Sequence, residues 1–141
     1  MSTLTLEQAQ TILREALAES HKQGFRPMGI VVVDAAGHIK ASLREDGATA
    51  LRLDIALGKA CAAVGMGLNS RALVQRARDL PAFFATIPMA SSQKFIPQTG
   101  AVLIQDASGQ ILGAAGASGG TGDEDEQICM AGIVAAGLKH A

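Results

Sequence analysis

The chain is poor in aromatic side chains and has no excess of charge of either sign. Its 141 residues include no Trp, no Tyr and 4 Phe, so it lacks the aromatic platforms on which bases of single-stranded nucleic acid stack. Lys and Arg number 12 against 13 Asp and Glu, and a net charge of −1 lacks the basic excess typical of nucleic-acid binding. These two absences argue against nucleic acid as a partner.

Other absences bear on where the protein works. Cys61 and Cys129 lie far apart and form no CxxC motif, which favours a reducing compartment over a disulfide scaffold. The first residues lack the basic start and apolar stretch of a signal peptide, and no apolar run approaches the roughly 18 residues of a membrane span. We therefore expect a cytoplasmic protein with no membrane partner, folded as one domain over residues 1–141.

Small residues are abundant, with 26 Ala and 16 Gly. Two predicted helical stretches, residues 60–68 and 128–138, carry no polar side chain. A surface helix of a monomer normally shows a polar outer stripe, so either a neighbouring helix layer or a partner subunit covers each stretch. We expect a homo-oligomer with its interface at residues 128–138, which Ile133→Glu or Val134→Glu should weaken.

Apolar periodicity predicts the order of helices and strands. Helices are expected over residues 6–23, 50–66, 70–78 and 123–139, and strands over residues 28–34, 38–44, 100–106 and 110–116. The first helix has a capping box formed by Thr5 and Gln8 and a stop at Gly24, and Thr49 is expected to cap the second. Residues 80–99 contain three prolines and are expected to form a long loop.

A short internal repeat supports this assignment. Residues 34–41 (DAAGHIKA) are similar to residues 106–113 (DASGQILG), and each copy follows a β-branched strand. Two similar hairpins in one sheet, linked by helices, give the order α-β-β-α-α-β-β-α. The sequence therefore predicts an α+β protein with an antiparallel sheet flanked by helices.

A glycine-rich loop at residues 116–122 precedes the last predicted helix and raises the possibility of phosphate binding at the helix N-terminus. That helix opens with four acids, residues 123–126, which complement the helix dipole themselves and repel an anion. Successive helical residues point about 100° apart, so these acids do not converge on a metal. We expect them to form a solvated, capping face.

Known catalytic patterns are missing from the sequence. There is no GxSxG motif and no zinc-ligand spacing, and both cysteines lie in apolar helical stretches where inert thiols are expected. No catalytic residue and no metal ligand is predicted, and enzymatic activity stays undecided on this evidence.

Motifs along nearly the whole chain resemble the GlcG/HbpS-like family. They are Leu4-Thr-Leu-Glu-x-Ala, Gly29-Ile-Val-Val-Val-Asp-x-x-Gly37, Arg44-x-Asp-Gly-Ala48, Lys59-Ala, and the closing Gly113-x-x-Gly-x-Ser-Gly119 with Asp123-Glu124 and Ala131-Gly132. The resemblance implies a sheet of about five strands like those of profilin and PAS domains, assembly as dimers to octamers, and haem or a related tetrapyrrole as ligand. Glu45 and residues 98–102 depart from the usual family pattern.

For a haem ligand, the candidate residues are His21 and Arg14. Axial ligands come from His, Cys, Met or Tyr. His38 follows a tight turn and is expected to be solvated, and His140, the penultimate residue, is expected to fray. His21 remains as the axial ligand, and Arg14 two turns earlier on the same helix stripe is the candidate partner of a propionate. A plain surface histidine near a helix end is the alternative.

A second group of candidates points to a different ligand. Arg44, Arg52 and Lys59 are candidates for holding a carboxylate, and the last two are seven residues apart on one helical face. The closing family motif adds the ligand-binding candidates Gly116, Ser118 and Gly119. This group supports an alternative function, a small enzyme or accessory protein acting on a hydroxy- or oxo-acid metabolite. Surface charges that keep the helix soluble, and an accessory protein without a small ligand, also stay open.

Overall fold

A computed structural model describes residues 3–141 as five helices and five strands. The helices are α1 (Leu6–Gln23), α2 (Arg52–Met66), α3 (Ser70–Asp79), α4 (Pro81–Ala90) and α5 (Gly122–Ala135). The strands are β1 (Gly29–Asp34), β2 (Ile39–Arg44), β3 (Ala101–Gln105), β4 (Ile111–Ser118) and β5 (Lys139–His140). They form one antiparallel sheet in the order β2-β1-β4-β3-β5, which confirms the predicted α+β class. Within residues 3–141, no helix has the length and apolar character needed to cross a bilayer.

Helices cover both faces of the sheet. α1 and α5 pack on the face that carries Ile30 and Val32, and α2 packs on the face that carries Val31 and Val33. β1 is therefore buried on both sides, as its continuous apolar character predicts. Each fully buried Val or Ile side chain contributes on the order of 1.5–3 kcal/mol, so this central strand anchors both layers.

The apolar stretches of α2 and α5 are covered largely within the chain. α1 lies directly on α5, where a Cβ at Gly132 would come within 2.5 Å of the Ile12 carbonyl oxygen. Ile133 is fully buried in this chain's own core, whereas Val134 is 60% exposed. The expectation that Ile133 lies in a subunit interface is therefore wrong, because its side chain is buried within this chain's own core. Ala62 of α2 likewise packs in a cluster with residues of α3 and α4.

The predicted ends of α1 are confirmed, but the start of α2 is not. Thr5 and Gln8 form both hydrogen bonds of the capping box, and Gly24 takes a left-handed conformation with φ of 71°. α2 begins after Leu51, which makes no side-chain capping bond. Thr49 instead accepts the Arg52 amide through its backbone carbonyl at 3.1 Å, so its predicted capping role is wrong.

Two further boundaries differ from expectation. Residues 81–90 form α4 where a loop was predicted, because Pro81 occupies the first helical turn, in which its missing N–H costs no hydrogen bond. α5 ends at Ala135, and Gly137 takes φ of 77° shortly after it. The chain then returns as β5, where His140 pairs with Ile104 of β3, so the expected fraying of His140 is also wrong.

The sheet has two ends of different character. At one end, here called the turn end, Asp34 Oδ1 accepts hydrogen bonds from the amides two and four residues later, each at 3.0 Å. Asp106 Oδ1 makes the equivalent bonds at 2.9 and 3.0 Å. Gly37 and Gly109 have φ of 84° and 88°. The repeated sequence thus folds as two similar hairpin turns, as predicted.

Candidate functional site

The opposite end of the sheet, here called the site end, is where β1 and β3 begin, β2 and β4 finish, and α2 and α5 start. Two glycines let α2 lie directly on the strands there. A Cβ at Gly29 would come within 2.7 Å of the Leu53 amide nitrogen, and one at Gly116 within 2.5 Å of the Ala56 carbonyl oxygen. The space above the predicted candidate Gly116 is therefore filled by α2, which brings Arg52 and Lys59 to the end of β4.

A buried ion pair joins the two helical layers around this end of the sheet. The Lys59 ammonium on α2 lies 3.0 Å from Asp125 Oδ2 on α5 and donates to the Ala117 carbonyl at 3.1 Å. Asp125 Oδ1 accepts the Gly120 amide at 3.0 Å. The side chains are 7% and 2% exposed. Gly100 leaves room for the Lys59 side chain, since a Cβ at residue 100 would lie 2.6 Å from Lys59 Nζ.

The electrostatics of the pair follow from its burial. Desolvation raises the pKa of the Asp125 carboxyl above its ordinary value, and the Lys59 ammonium, the Gly120 amide and Arg52 counteract this rise. Removing one partner of a buried pair typically costs about 3–5 kcal/mol, because the other charge is left unpaired. Lys59 is thus a structural cation with two of its three N–H donors engaged, and it also lines the cleft described below.

Both cysteines are free thiols whose surroundings keep them protonated. Burial raises the pKa of the Cys129 thiol far above its ordinary range. Burial also raises the pKa of the half-buried Cys61 thiol, which donates to the Gly37 carbonyl at 3.5 Å. Full burial confirms the expectation of a packed thiol for Cys129, whereas Cys61 is only half-buried and lines a surface cavity.

The acidic run at the start of α5 only partly matches its predicted role. Glu124 and Thr121 form a capping box, with bonds of 2.9 and 3.2 Å. Asp125 and Glu126, however, are buried, which corrects the expectation of a fully solvated face. Glu126 accepts two charge-assisted bonds from Nε of Arg71 on α3, at 3.1 and 3.2 Å. In the sequence, the burial of Asp125 and Glu126 was signalled by their position just before the apolar run at residues 128–138.

A cleft of about 490 Å³ opens beside the buried pair, between α2, α3, the loop at residues 119–121 and the start of α5. We call it the α2–α5 cleft. Arg52 Nη1 lies 3.4 Å from the Ser118 hydroxyl in this cleft. The structure thus brings together three predicted ligand-binding residues, namely Arg52, Lys59 and Ser118. The lining residues that sequence reasoning missed include Arg78, Thr99 and Asp125.

Gly119 and Arg44 also lie nearby but, like Gly116, outside the lining. Gly119 starts the adjoining loop with φ of 150°, and a Cβ there would lie 2.3 Å from the Pro27 carbonyl oxygen, so only glycine fits. Arg44 is aligned with Ser118 across the sheet, with Gly29 of β1 between them. Its guanidinium donates to the Ala48 carbonyl at 2.8 Å and turns away from the cleft.

His21 also lies at the site end, in the last turn of α1. Its side chain is 63% exposed, and Nε2–H donates to Glu45 Oε1 at 2.6 Å. Glu45 is itself held, because Oε2 accepts the Met28 amide at 2.7 Å. Arg14 is exposed two turns earlier in α1, where its guanidinium lies 3.5 Å from the Thr11 hydroxyl. The His21–Glu45 contact could not be read from the sequence, in which the two residues are 24 positions apart.

These features define an α+β protein with a five-stranded antiparallel sheet, helices on both faces and a polar cleft at one end of the sheet. A family model described as "Haem degrading protein HbpS-like" matches residues 4–134. The chain therefore belongs to the HbpS-like family, which confirms the resemblance seen in its motifs.

Solved structures agree with this membership. A double mutant of Streptomyces reticuli HbpS is 30% identical, covering 95% of this chain and 87% of that one, with a TM-score of 0.82. The PduOC–haem complex is 22% identical over 97% of both chains, with a TM-score of 0.85, and shows the same fold. Klebsiella pneumoniae protein ORFY is 24% identical over 97% of this chain and 92% of that one, with a TM-score of 0.81. No curated protein sequence matches significantly.

Proposed function

We propose that this protein binds haem or a related tetrapyrrole, with His21 as the axial ligand. Family membership supports the ligand class, and PduOC, which has the same fold, was crystallised with haem. The observation that carries the proposal is the chain of contacts from His21 to Glu45 to the Met28 amide. A metal-ligating histidine almost always donates its second ring N–H to such a carboxylate, which sets its tautomer and raises its basicity.

The surroundings of His21 fit such a ligand. With Nε2–H directed to Glu45, Nδ1 would be the ring nitrogen left to hold iron, and the ring is exposed enough to be reached. Arg14 on the same helix stripe is the proposed partner of a propionate. When bound, haem supplies an iron centre for electron transfer or ligand binding.

A hemin titration of the purified protein, followed at the Soret band, tests this proposal. We expect a saturable shift at micromolar hemin and a loss of affinity of at least about tenfold in His21→Ala. Glu45→Gln should weaken binding by roughly 10–100-fold, the usual effect of losing an outer-shell partner. His38→Ala, which removes an 82% exposed imidazole at the turn end, is the matched control and should bind as the wild type does.

Different outcomes would contradict the haem proposal and the assignment of His21 as the ligand. If no saturable shift occurs at micromolar hemin, the haem proposal is wrong. If hemin binds but His21→Ala leaves the affinity and the Soret position unchanged, haem binding stands and His21 is not its ligand.

We also propose that the chain works as a homo-oligomer, as one domain, in the cytoplasm. α4 supports the assembly, since Leu80 beside it and Phe83 and Met89 within it are 55%, 55% and 80% exposed. Pro81–Ala90 contains no charged residue, so this apolar helix is a better interface candidate than residues 128–138. The cytoplasmic location is supported by the free thiols of Cys61 and Cys129, which fit a reducing compartment. Light scattering should give a mass above the monomer's 14.4 kDa, and Phe83→Glu should lower it.

A further inference from the structure

We propose that the α2–α5 cleft binds a small organic carboxylate, with Arg52 and Ser118 as the residues that contact it and Arg78 as a second cation. This site goes beyond the haem proposal and does not depend on it. It is carried by the charge balance, the donor geometry and the dimensions of the cleft.

The charge balance of the cleft is positive once its internal pairs are counted. The lining holds three cations, Arg52, Lys59 and Arg78, against two acids, Asp123 and Asp125. Asp125 is engaged by Lys59 and the Gly120 amide, and Asp123 shares Arg71 with Glu126. Arg52 and Arg78 form no ion pair with any carboxylate among residues 3–141. The two unpaired guanidinium groups make the cleft a site for an anion.

The donor geometry favours a carboxylate. Arg52 is the first residue of α2, so the packing of α2 on Gly29 fixes where its side chain starts. Its guanidinium is half-buried and makes a 3.4 Å contact with Ser118, which leaves donors directed to the cleft. Ser118 is itself only 2% exposed, and its hydroxyl lies at the inner wall. A planar guanidinium fork matches the two oxygens of a carboxylate.

The walls of the cleft set the size of the ligand. Ile55, Val74 and Ile96 line it beside the polar groups, so part of the wall suits a short carbon chain. A volume of about 490 Å³ lies in the lower half of the range for small-molecule sites, which is roughly 300–1,000 Å³. These dimensions fit a small acid with a short apolar body.

Lys59 acts here as a positioning residue. Two of its three N–H donors are held by Asp125 and the Ala117 carbonyl and its side chain is only 7% exposed, so we assign the direct contact with the ligand to Arg52, which is less buried. By holding Asp125, Lys59 keeps the loop at residues 119–121 and the start of α5 against α2, and these segments form one wall of the cleft.

Calorimetric titration of the full chain with succinate tests this assignment. We expect saturable binding, a loss of affinity of at least about tenfold in Arg52→Gln, and a smaller loss in Ser118→Ala. Arg76→Gln is the matched control, because Arg76 is exposed on α3 outside the lining, and it should bind succinate as the wild type does. Succinamide, the neutral diamide of the same shape, should show no binding. Thermal unfolding of each variant checks that it is folded.

Four results would overturn the assignment. They are no saturable binding of succinate, an Arg52→Gln variant that binds like Arg76→Gln, inorganic phosphate binding as tightly as succinate, and competition between hemin and succinate. The third would make the cleft a general anion site. The fourth would make a haem propionate the carboxylate it holds, and a Soret titration of Arg52→Gln separates that result from a failure of the haem proposal.

Discussion

The two ends of the sheet are built in opposite ways. At the turn end, each aspartate binds amides two and four residues further along the chain. At the site end, Lys59 meets Asp125 and Arg52 meets Ser118 across 66 residues in both cases. The turn end is exposed and locally specified, whereas the site end contains buried charge and depends on α2, β4 and α5 meeting correctly. The candidate ligand residues therefore depend on contacts between residues that are far apart along the chain.

The largest expected effect comes from breaking the buried pair at the site end. Lys59→Met leaves the Asp125 carboxylate buried without its cation, and we expect the free energy of unfolding to fall by about 3–5 kcal/mol. Urea denaturation measures this change. The double variant Lys59→Met with Asp125→Leu should recover much of the loss, because no buried charge is left unpaired. A single variant within about 1 kcal/mol of wild type would contradict the structural role of the pair.

The same variant should change how stability depends on pH. Burial raises the pKa of Asp125 above its ordinary value of 3.8, and Lys59 opposes that rise. Without Lys59 the folded protein binds the proton still more tightly than the unfolded chain does, so stability present below pH 3.8 is lost as the pH rises through the folded pKa. The deficit of Lys59→Met should therefore grow from acid to neutral pH in urea titrations. If Lys59→Met lost the same free energy of unfolding at acid and at neutral pH, Asp125 would not be an unpaired buried charge in this variant.

A medium effect is expected where α2 rests on the sheet. Gly116→Ala places a methyl 2.5 Å from the Ala56 carbonyl oxygen, and overpacking of this kind costs about 1–3 kcal/mol. Gly65→Ala is the matched control on α2, since a Cβ there meets nothing within 4 Å, and it should stabilise the helix by about 0.5–1 kcal/mol. Thermal or urea unfolding compares the two. Equal effects would show that α2 does not lie so close to β4.

The smallest effect is expected at the turn end. Asp34→Ala and Asp106→Ala each remove the acceptor of two exposed turn amides, which should cost about 1 kcal/mol. Asp106→Ala should cost slightly more, because Asp106 Oδ1 also accepts from the Ser108 hydroxyl at 2.7 Å. A difference of more than about 1 kcal/mol in urea unfolding would show that the repeat is not structurally equivalent.

Sequence reasoning succeeded where neighbouring residues carry the signal. The bounds of α1 were predicted because Thr5, Gln8 and Gly24 each act within one helical turn. The loop predicted at residues 80–99 is wrong over residues 81–90, because Pro81 starts a helix there instead of ending one, and is confirmed over residues 91–99, which form neither helix nor strand. At the site, Arg52 and Lys59 were correctly placed on one helical face. The pairing of Lys59 with Asp125, and of Arg71 with Asp123 and Glu126, was missed.

The sequence by itself determined most of the elements, the two matched turns and membership in the HbpS-like family. These follow from capping residues, apolar periodicity and motifs, which act over a few positions. Only the tertiary structure decided that Lys59 is engaged by Asp125 while Arg52 lies against Ser118, and that Glu45 contacts His21. The reason is physical, because charge pairing and desolvation depend on distances in space between residues far apart along the chain.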